Sequence, residues 1–233
     1  MTKRSSRPPP SSPSLLPRVL EPEVMDSEAD SREYDEMDHD EVNQVFVADL
    51  LKLPVDLSSA LDVGTGPAHL PIVLCRRVPG ARIVGIDLSD HMLARARRNV
   101  ERAGLSGAVR LERQDGKAIE FGDGAFQCVL SNGTLHHVAR PEVLVAEMTR
   151  VLASGGWLYV RDLARPTDET RLAQFIQQYA GSANDRQREM FEISLRASLR
   201  PEEVASVLGG IGVRGARIEM SSDRHWTLTW QKP

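Results

Sequence analysis

Four short clusters in this 233-residue chain carry side chains able to do chemistry. The first is Leu61-Asp62-Val63-Gly64-Thr65-Gly66-Pro67-Ala68, where an acid inside an apolar run is followed by two glycines. Glycines at 64 and 66 let the backbone turn tightly and let a ligand approach peptide N–H groups that a Cβ would shield. The second is Val84-Gly85-Ile86-Asp87-Leu88-Ser89, an apolar run ending in a carboxylate that can accept two hydrogen bonds. The third is Gln114-Asp115-Gly116, and the fourth Leu135-His136-His137-Val138, whose adjacent imidazoles titrate near neutral pH and can take a proton. Blander roles compete at every position: a helix cap for Asp87, a turn-former before glycine for Asp115, loop-holding histidines at 136 and 137.

These clusters fall at the ends of predicted strands. Ala60–Val63, Arg82–Asp87, Val109–Asp115, Phe126–Asn132 and Trp157–Leu163 read as strands. Helices are predicted between them over Pro67–Val78, from Ser89 to Gly104, and from Pro141 to a stop at Gly155-Gly156. Strands separated by single helices require right-handed crossovers, hence an α/β, doubly wound, mostly parallel sheet. In such a sheet ligands sit at the carboxyl ends of the strands, where all four clusters lie. Beyond Pro166 come helices near Glu169–Ala180, Asn184–Leu199 and Pro201–Leu208, then strands near Val213–Met220 and His225–Trp230 joined as a hairpin. The last strand is expected antiparallel, giving a seven-stranded sheet.

The chain divides by composition. Residues 1–24 hold six of the 14 prolines, mixed with serine, and read as a disordered leader. Residues 25–54 read as a helical cap, with nine carboxylates from Asp26 to Glu41 before an apolar stripe of Val42, Val45, Phe46, Leu50 and Leu51. Residues 55–233 are left as the sheet domain. The formal net charge of −4 argues against a protein that grips nucleic-acid backbone, although from Val42 onward 24 basic residues face 22 acidic ones. Cys75 and Cys128 lie in apolar runs without metal-ligand spacing, so no metal is expected and a reducing, cytoplasmic setting is. No window approaches about 18 uninterrupted apolar residues, so no membrane span is expected.

The dinucleotide fingerprint G-x-G-x-x-G, counted from Gly64, meets His69 at its last position, which weakens a nicotinamide-dependent oxidoreductase reading. The order of D-x-G-x-G, an acid ending the second strand, Gln114-Asp115-Gly116, Phe126-Gln127-Cys128-Val129-Leu130-Ser131-Asn132 and Arg150-Val151-Leu152-Ala153-Ser154-Gly155-Gly156 resembles the class I S-adenosylmethionine-dependent methyltransferases. The resemblance covers about Leu57–Arg165 and is greatest to the ubiquinone and menaquinone C-methyltransferase branch.

It implies a Rossmann-like fold and S-adenosylmethionine as cofactor. Asp87 would hold the ribose diol and Leu88 would pack on adenine. Asp115 would accept from the adenine amino group, beside a backbone donor at Gly116. Gly64, Thr65 and Gly66 would meet the methionyl part and Asp62 its ammonium, with Asn132 and Tyr34 also at the cofactor. His136, in preference to His137, is the candidate base. Tyr34 and His39 from the cap, and Arg161, Asp162, Arg165, Arg186 and Arg188, are further candidates for the pocket, with salt bridging the competing role for the arginines. His225 and Trp226 are expected to be structural. Ala68 stands at the family's third glycine, which puts the closeness of helix packing in question. Ser131-Asn132-Gly133-Thr134 replaces the Asn-Pro-Pro-aromatic signature of enzymes that methylate planar nitrogens. The expected partner is therefore a small-molecule acceptor methylated on carbon or oxygen, with a non-catalytic cofactor-binding regulator as a further alternative.

Overall fold

The computed structural model describes residues 15–21, 27–37 and 40–233. His39 and Asp26 lie outside the described residues, as do residues 1–14 of the expected leader. In chain order the elements are α1 (Glu28–Glu36), α2 (Asp40–Leu50), β1 (Ala60–Val63), α3 (His69–Arg77), β2 (Ile83–Asp87), α4 (Asp90–Arg102), β3 (Val109–Arg113) and β4 (Phe126–Asn132). After a 3-10 turn over Leu135–His137 come α5 (Pro141–Val151), β5 (Leu152–Leu163), α6 (Glu169–Ala180), α7 (Asp185–Ala197), α8 (Pro201–Gly210), β6 (Arg217–Met220) and β7 (His225–Gln231).

The seven strands form one sheet in the order β3-β2-β1-β4-β5-β7-β6. The first five are parallel, and β7 runs antiparallel between β5 and β6. The order reverses between β1 and β4, so a crevice opens beyond their carboxyl ends. Every residue of β1 is buried, because helices cover both sheet faces. Leu61 and Val63 face the core of Val129, Leu144, Val145 and Leu158, whereas Ala60 faces that of Phe46, Leu74, Ile83 and Tyr159. Asp62 alternates with Leu61 and Val63, which places a carboxylate inside an otherwise apolar strand. Helix α2 is part of this second core: Phe46, Val47 and Leu50 are fully buried, with the Phe46 ring edge-on to Tyr159 at 4.8 Å. Among the described residues, no helix is long and apolar enough to cross a membrane.

Three local expectations change. The third strand stops at Arg113, leaving Gln114-Asp115-Gly116 in the loop above it. The glycines at 155 and 156 do not close α5: that helix ends at Val151, and the pair lies within β5 where its register with β4 is broken. There Gly155 takes φ +78°, and a Cβ on Gly156 would stand 2.7 Å from the carbonyl oxygen of Gln127. Residues 15–21, within the stretch read as a disordered leader, lie extended and docked. Leu16 is buried against Leu172, Phe175 and Leu195, and Arg18 donates to the carbonyl oxygens of Ala197 and Val138 at 2.6 and 3.0 Å.

Ala68 has a different consequence from the one its sequence position suggested. It sits at φ +64°, the left-handed conformation glycine adopts freely, and is the non-glycine residue to do so among those described. Its side chain is fully buried at the entrance to α3. Left-handed backbone costs an L-residue roughly 1–2 kcal/mol, and glycine's larger unfolded-state entropy returns about 0.5–1 kcal/mol of that. Ala68→Gly is therefore expected to leave the protein as stable as its parent or up to about 1 kcal/mol more stable. Urea unfolding monitored by circular dichroism would show this, and a loss of stability would contradict it.

Candidate active site

The carboxyl ends of β1, β2 and β4 converge on one cleft. Its larger part opens to solvent over about 770 Å³, floored by Val63, Ile86 and Leu144 and lined by Tyr34, Gly64, Gly66, Asp87, Leu88, Asp115, Gly116, Asn132 and His137. A smaller part of about 440 Å³ reaches Asp62, Thr65 and Asn43. Tyr34, Gly64, Gly66 and Asn132 line both parts, so they form one continuous groove across the strand tips.

The loop after β1 is shaped by its neighbours. Gly64 at φ +72° has no room for a Cβ because the Thr134 side chain occupies that space, and Gly66 takes φ +53°. Asp87 closes the loop by accepting hydrogen bonds from the amides of Gly66 and Ser89, both at 2.9 Å. Gly85 in β2 leaves room for the Thr65 hydroxyl, which would stand 2.7 Å from a Cβ there. Asp115 pairs with Lys117 at 3.0 Å and accepts from its amide. A Cβ on Gly116 would stand 2.6 Å from the end of the Leu144 side chain, which would have to shift to admit one.

Charge in the groove is predominantly negative. Burial pushes the Asp62 carboxyl up to about 7, with the Asp87 charge adding to the shift and the Thr65 hydroxyl opposing it. Asp87 is also raised by burial, against the pull of the Ser89 and Gly66 amides. Among the described residues neither forms an ion pair with a Lys or Arg. The Tyr34 hydroxyl is raised to about 12 by burial and by the charges of Asp162, Asp87 and Asp62.

The histidines separate. His137 lines the cleft, but His136 does not: its ring is buried behind it, with Nδ1 2.6 Å from Asp162 Oδ1 and its backbone amide donating to Asp162 Oδ2 at 3.1 Å. The preference for His136 as the residue facing the methyl group is thus not what the geometry favours. Arg161 is buried on Asp49, Thr227 and the Tyr159 hydroxyl, and Arg165 on the carbonyl oxygens of Leu16 and Ser198 and on Glu203. Arg186 pairs with Asp30 and Glu189, and Arg188 with Asp185. Salt bridging accounts for all four arginines. Trp226 is fully buried and donates to Leu199 O.

The sequence reading missed Asn43, which is buried in α2 and accepts from Asn132 Nδ2 at 3.3 Å. An amide interrupting the apolar stripe of Val42, Val45 and Phe46 was the available signal. Gln114 also lines the cleft, and stood beside Asp115 in the motif.

Residues 61–160 match a family model described as a methyltransferase domain. A demethylmenaquinone methyltransferase of Thermus thermophilus is 42% identical over 106 residues, which are 46% of this chain and 47% of that protein. A phosphatidylethanolamine N-methyltransferase of Cereibacter sphaeroides is 38% identical over 97 residues, 41% of this chain and 46% of that one. Residues 61–160 belong to the S-adenosylmethionine-dependent methyltransferase family. The methyltransferase domain spans about half the length of the curated relatives it matches, or less. Its fold is shared more widely. A crystal structure of a SAM-dependent methyltransferase from Aquifex aeolicus superposes with a TM-score of 0.60 at 16% identity, over 87% of this chain and 97% of that one.

The cleft of the methyltransferase domain fits the family's cofactor on its own chemistry. S-adenosylmethionine is a net cation, with a sulfonium and an ammonium against one carboxylate. Asp62 is buried and Asp87 half-buried, and a bound cation relieves their repulsion and desolvation. Asp87 Oδ1 and Oδ2 each accept one amide and retain lone-pair capacity for hydroxyl donors.

Proposed function

We propose that this protein transfers the methyl group of S-adenosylmethionine to a small-molecule acceptor through carbon or oxygen, in a reducing, cytoplasmic compartment. The observation that carries the reading is the pair of acids, buried Asp62 and half-buried Asp87, set at the two ends of a groove whose glycine loop leaves backbone groups open to a ligand. The relatives named as quinone methyltransferases support a small acceptor, and two free buried thiols support the compartment. Residues 27–37 and 40–50 then act as the cap, closing the groove with Tyr34 and Asn43.

The cofactor supplies an electrophilic methyl whose leaving group is a neutral thioether, so no acid is needed. What remains for the protein is positioning, drying and, for a hydroxyl or acidic carbon, removal of one proton. Positioning two bound reactants contributes on the order of 7–11 kcal/mol. Tyr34, Val42 and Asn43 exclude water from above, while Asp87 and Asp115 fix the nucleoside half. The proton goes to the imidazole pair, His137 from its place on the cleft wall and His136 as the ring oriented by Asp162. Burial works against a charged His136, but Asp162 and Glu21 outweigh it and hold its pKa above the ordinary value.

Replacing His137 and His136 by alanine, singly, is expected to lower turnover by about 10²–10⁴-fold with cofactor affinity nearly unchanged. Turnover of labelled cofactor with a metabolite extract, read by mass spectrometry, checks this; unchanged turnover in both variants removes the base. Cofactor binding without product in any extract favours the regulatory alternative, and binding of NAD without S-adenosylmethionine favours an oxidoreductase.

A further inference from the structure

We propose that Glu21, His136 and His137 form a binding site for a divalent transition-metal ion of the zinc class. The docked residues 15–21 bring Glu21 to the two histidines, where its Oε1 lies 3.0 Å from His137 Nδ1 and 3.5 Å from His136 Nε2. All three donor atoms fall within 4.8 Å of one another. Ligands about 2.0–2.2 Å from a common metal stand roughly 3–3.5 Å apart, so these groups need little movement to share an ion.

Three further features point the same way. The Glu21 side chain is 7% exposed, and its Oε1 is a buried oxygen that accepts no well-aligned hydrogen bond. Asp162 binds the far nitrogen of His136, the carboxylate–histidine arrangement that fixes a ligand ring with Nε2 turned to the metal. Arg18 donates to the carbonyl oxygens of His136 and Val138, tying the segment that bears Glu21 to the turn that bears the histidines. The carboxylates of Glu21 and Asp162 against the Arg18 guanidinium leave one negative charge, which suits a dication. Two nitrogens and one carboxylate select zinc, nickel, cobalt or ferrous iron over magnesium or calcium, which demand oxygen ligands.

His137 lies on the cleft wall, so an ion held there would stand beside the acceptor space. A hydroxyl bound there would ionise near neutral pH, its proton leaving to solvent while the oxygen stays on the metal. In that state the two rings are ligands, and the metal's charge replaces them as the means of removing the proton. This effect on the acceptor rests on the methyl-transfer reading; the binding itself does not.

The test is titration of Zn²⁺, with Mg²⁺ as control, into chelator-treated full-length protein freed of any histidine tag. The expected result is one Zn²⁺ per chain and no Mg²⁺, with affinity at least ~100-fold weaker in Glu21→Gln and in His137→Ala and ~10–100-fold weaker in Asp162→Asn. Glu21→Gln sits on the docked segment, and circular dichroism verifies that it folds. S-adenosylmethionine affinity is measured on the same samples. Absence of saturable Zn²⁺ binding, or binding undiminished in Glu21→Gln and His137→Ala, overturns the site whether or not the cofactor binds.

Discussion

Asp87→Ala is expected to weaken S-adenosylmethionine binding by about 10²–10⁴-fold while leaving the fold intact. A ribose diol on an ionised carboxylate makes two charge-assisted hydrogen bonds, each contributing roughly 1.5–3 kcal/mol. Each 1.4 kcal/mol is about a factor of ten in affinity. The fold is expected to survive because the partly desolvated carboxylate is itself costly in the ligand-free protein, its pKa lying above the ordinary value. The amides of Gly66 and Ser89 lose an acceptor, which loosens the loop after β1 and adds to the loss of binding. Calorimetric titration of parent and variant, with a thermal melt of each, separates the two effects. Affinity within about threefold of the parent would remove Asp87 from the ribose.

Asp62→Asn is expected to move stability and binding in opposite directions. An unfolded aspartate ionises near 3.8, whereas burial holds the folded Asp62 near 7. Below 3.8 both states carry the proton. Between the two values the unfolded chain ionises and the folded one does not, so stability falls as pH rises, and the deficit is complete above about 7. Three pKa units correspond to at most about 4 kcal/mol. The asparagine variant, ligand-free at pH 8, is therefore expected to be about 2–4 kcal/mol more stable, a rise of roughly 5–12 °C in Tm for a chain of this size. The gain shrinks towards pH 4. Binding of a cation drives the Asp62 proton off, so the parent's affinity rises with pH up to about 7 and then levels. In Asp62→Asn the affinity is lower and that slope is gone. An unchanged Tm at pH 8 would mean that Asp62 is not held in the buried, raised state.

The groove was legible in the sequence because each of its parts is local. Gly64, Gly66, Asp87 and Gly116 announce themselves by type and by position at a strand end, and parallel crossovers bring strand ends together without further instruction. Of the twelve residues expected to hold the cofactor or act as base, eleven line the two parts of the groove and His136 does not; the further pocket candidates Arg161, Asp162, Arg165, Arg186 and Arg188 line neither part. The acceptor side was far less legible. Which of two neighbouring histidines faces the cleft depends on Asp162, a residue of β5, capturing the ring of one of them. Glu21 reaches that pair only because Leu16 and Arg18 dock a proline-rich stretch whose composition alone indicated disorder. The strain at Ala68 was hidden for a different reason: alanine is the mildest replacement for glycine by volume, but the position is set by φ.

The most direct test of the account is equilibrium binding of S-adenosylmethionine and of NAD to the full chain at pH 8, alongside Asp87→Ala. The account predicts saturable S-adenosylmethionine binding at one site per chain, at least ~100-fold weaker in the variant, and no NAD binding. Binding of NAD with none of S-adenosylmethionine would contradict it.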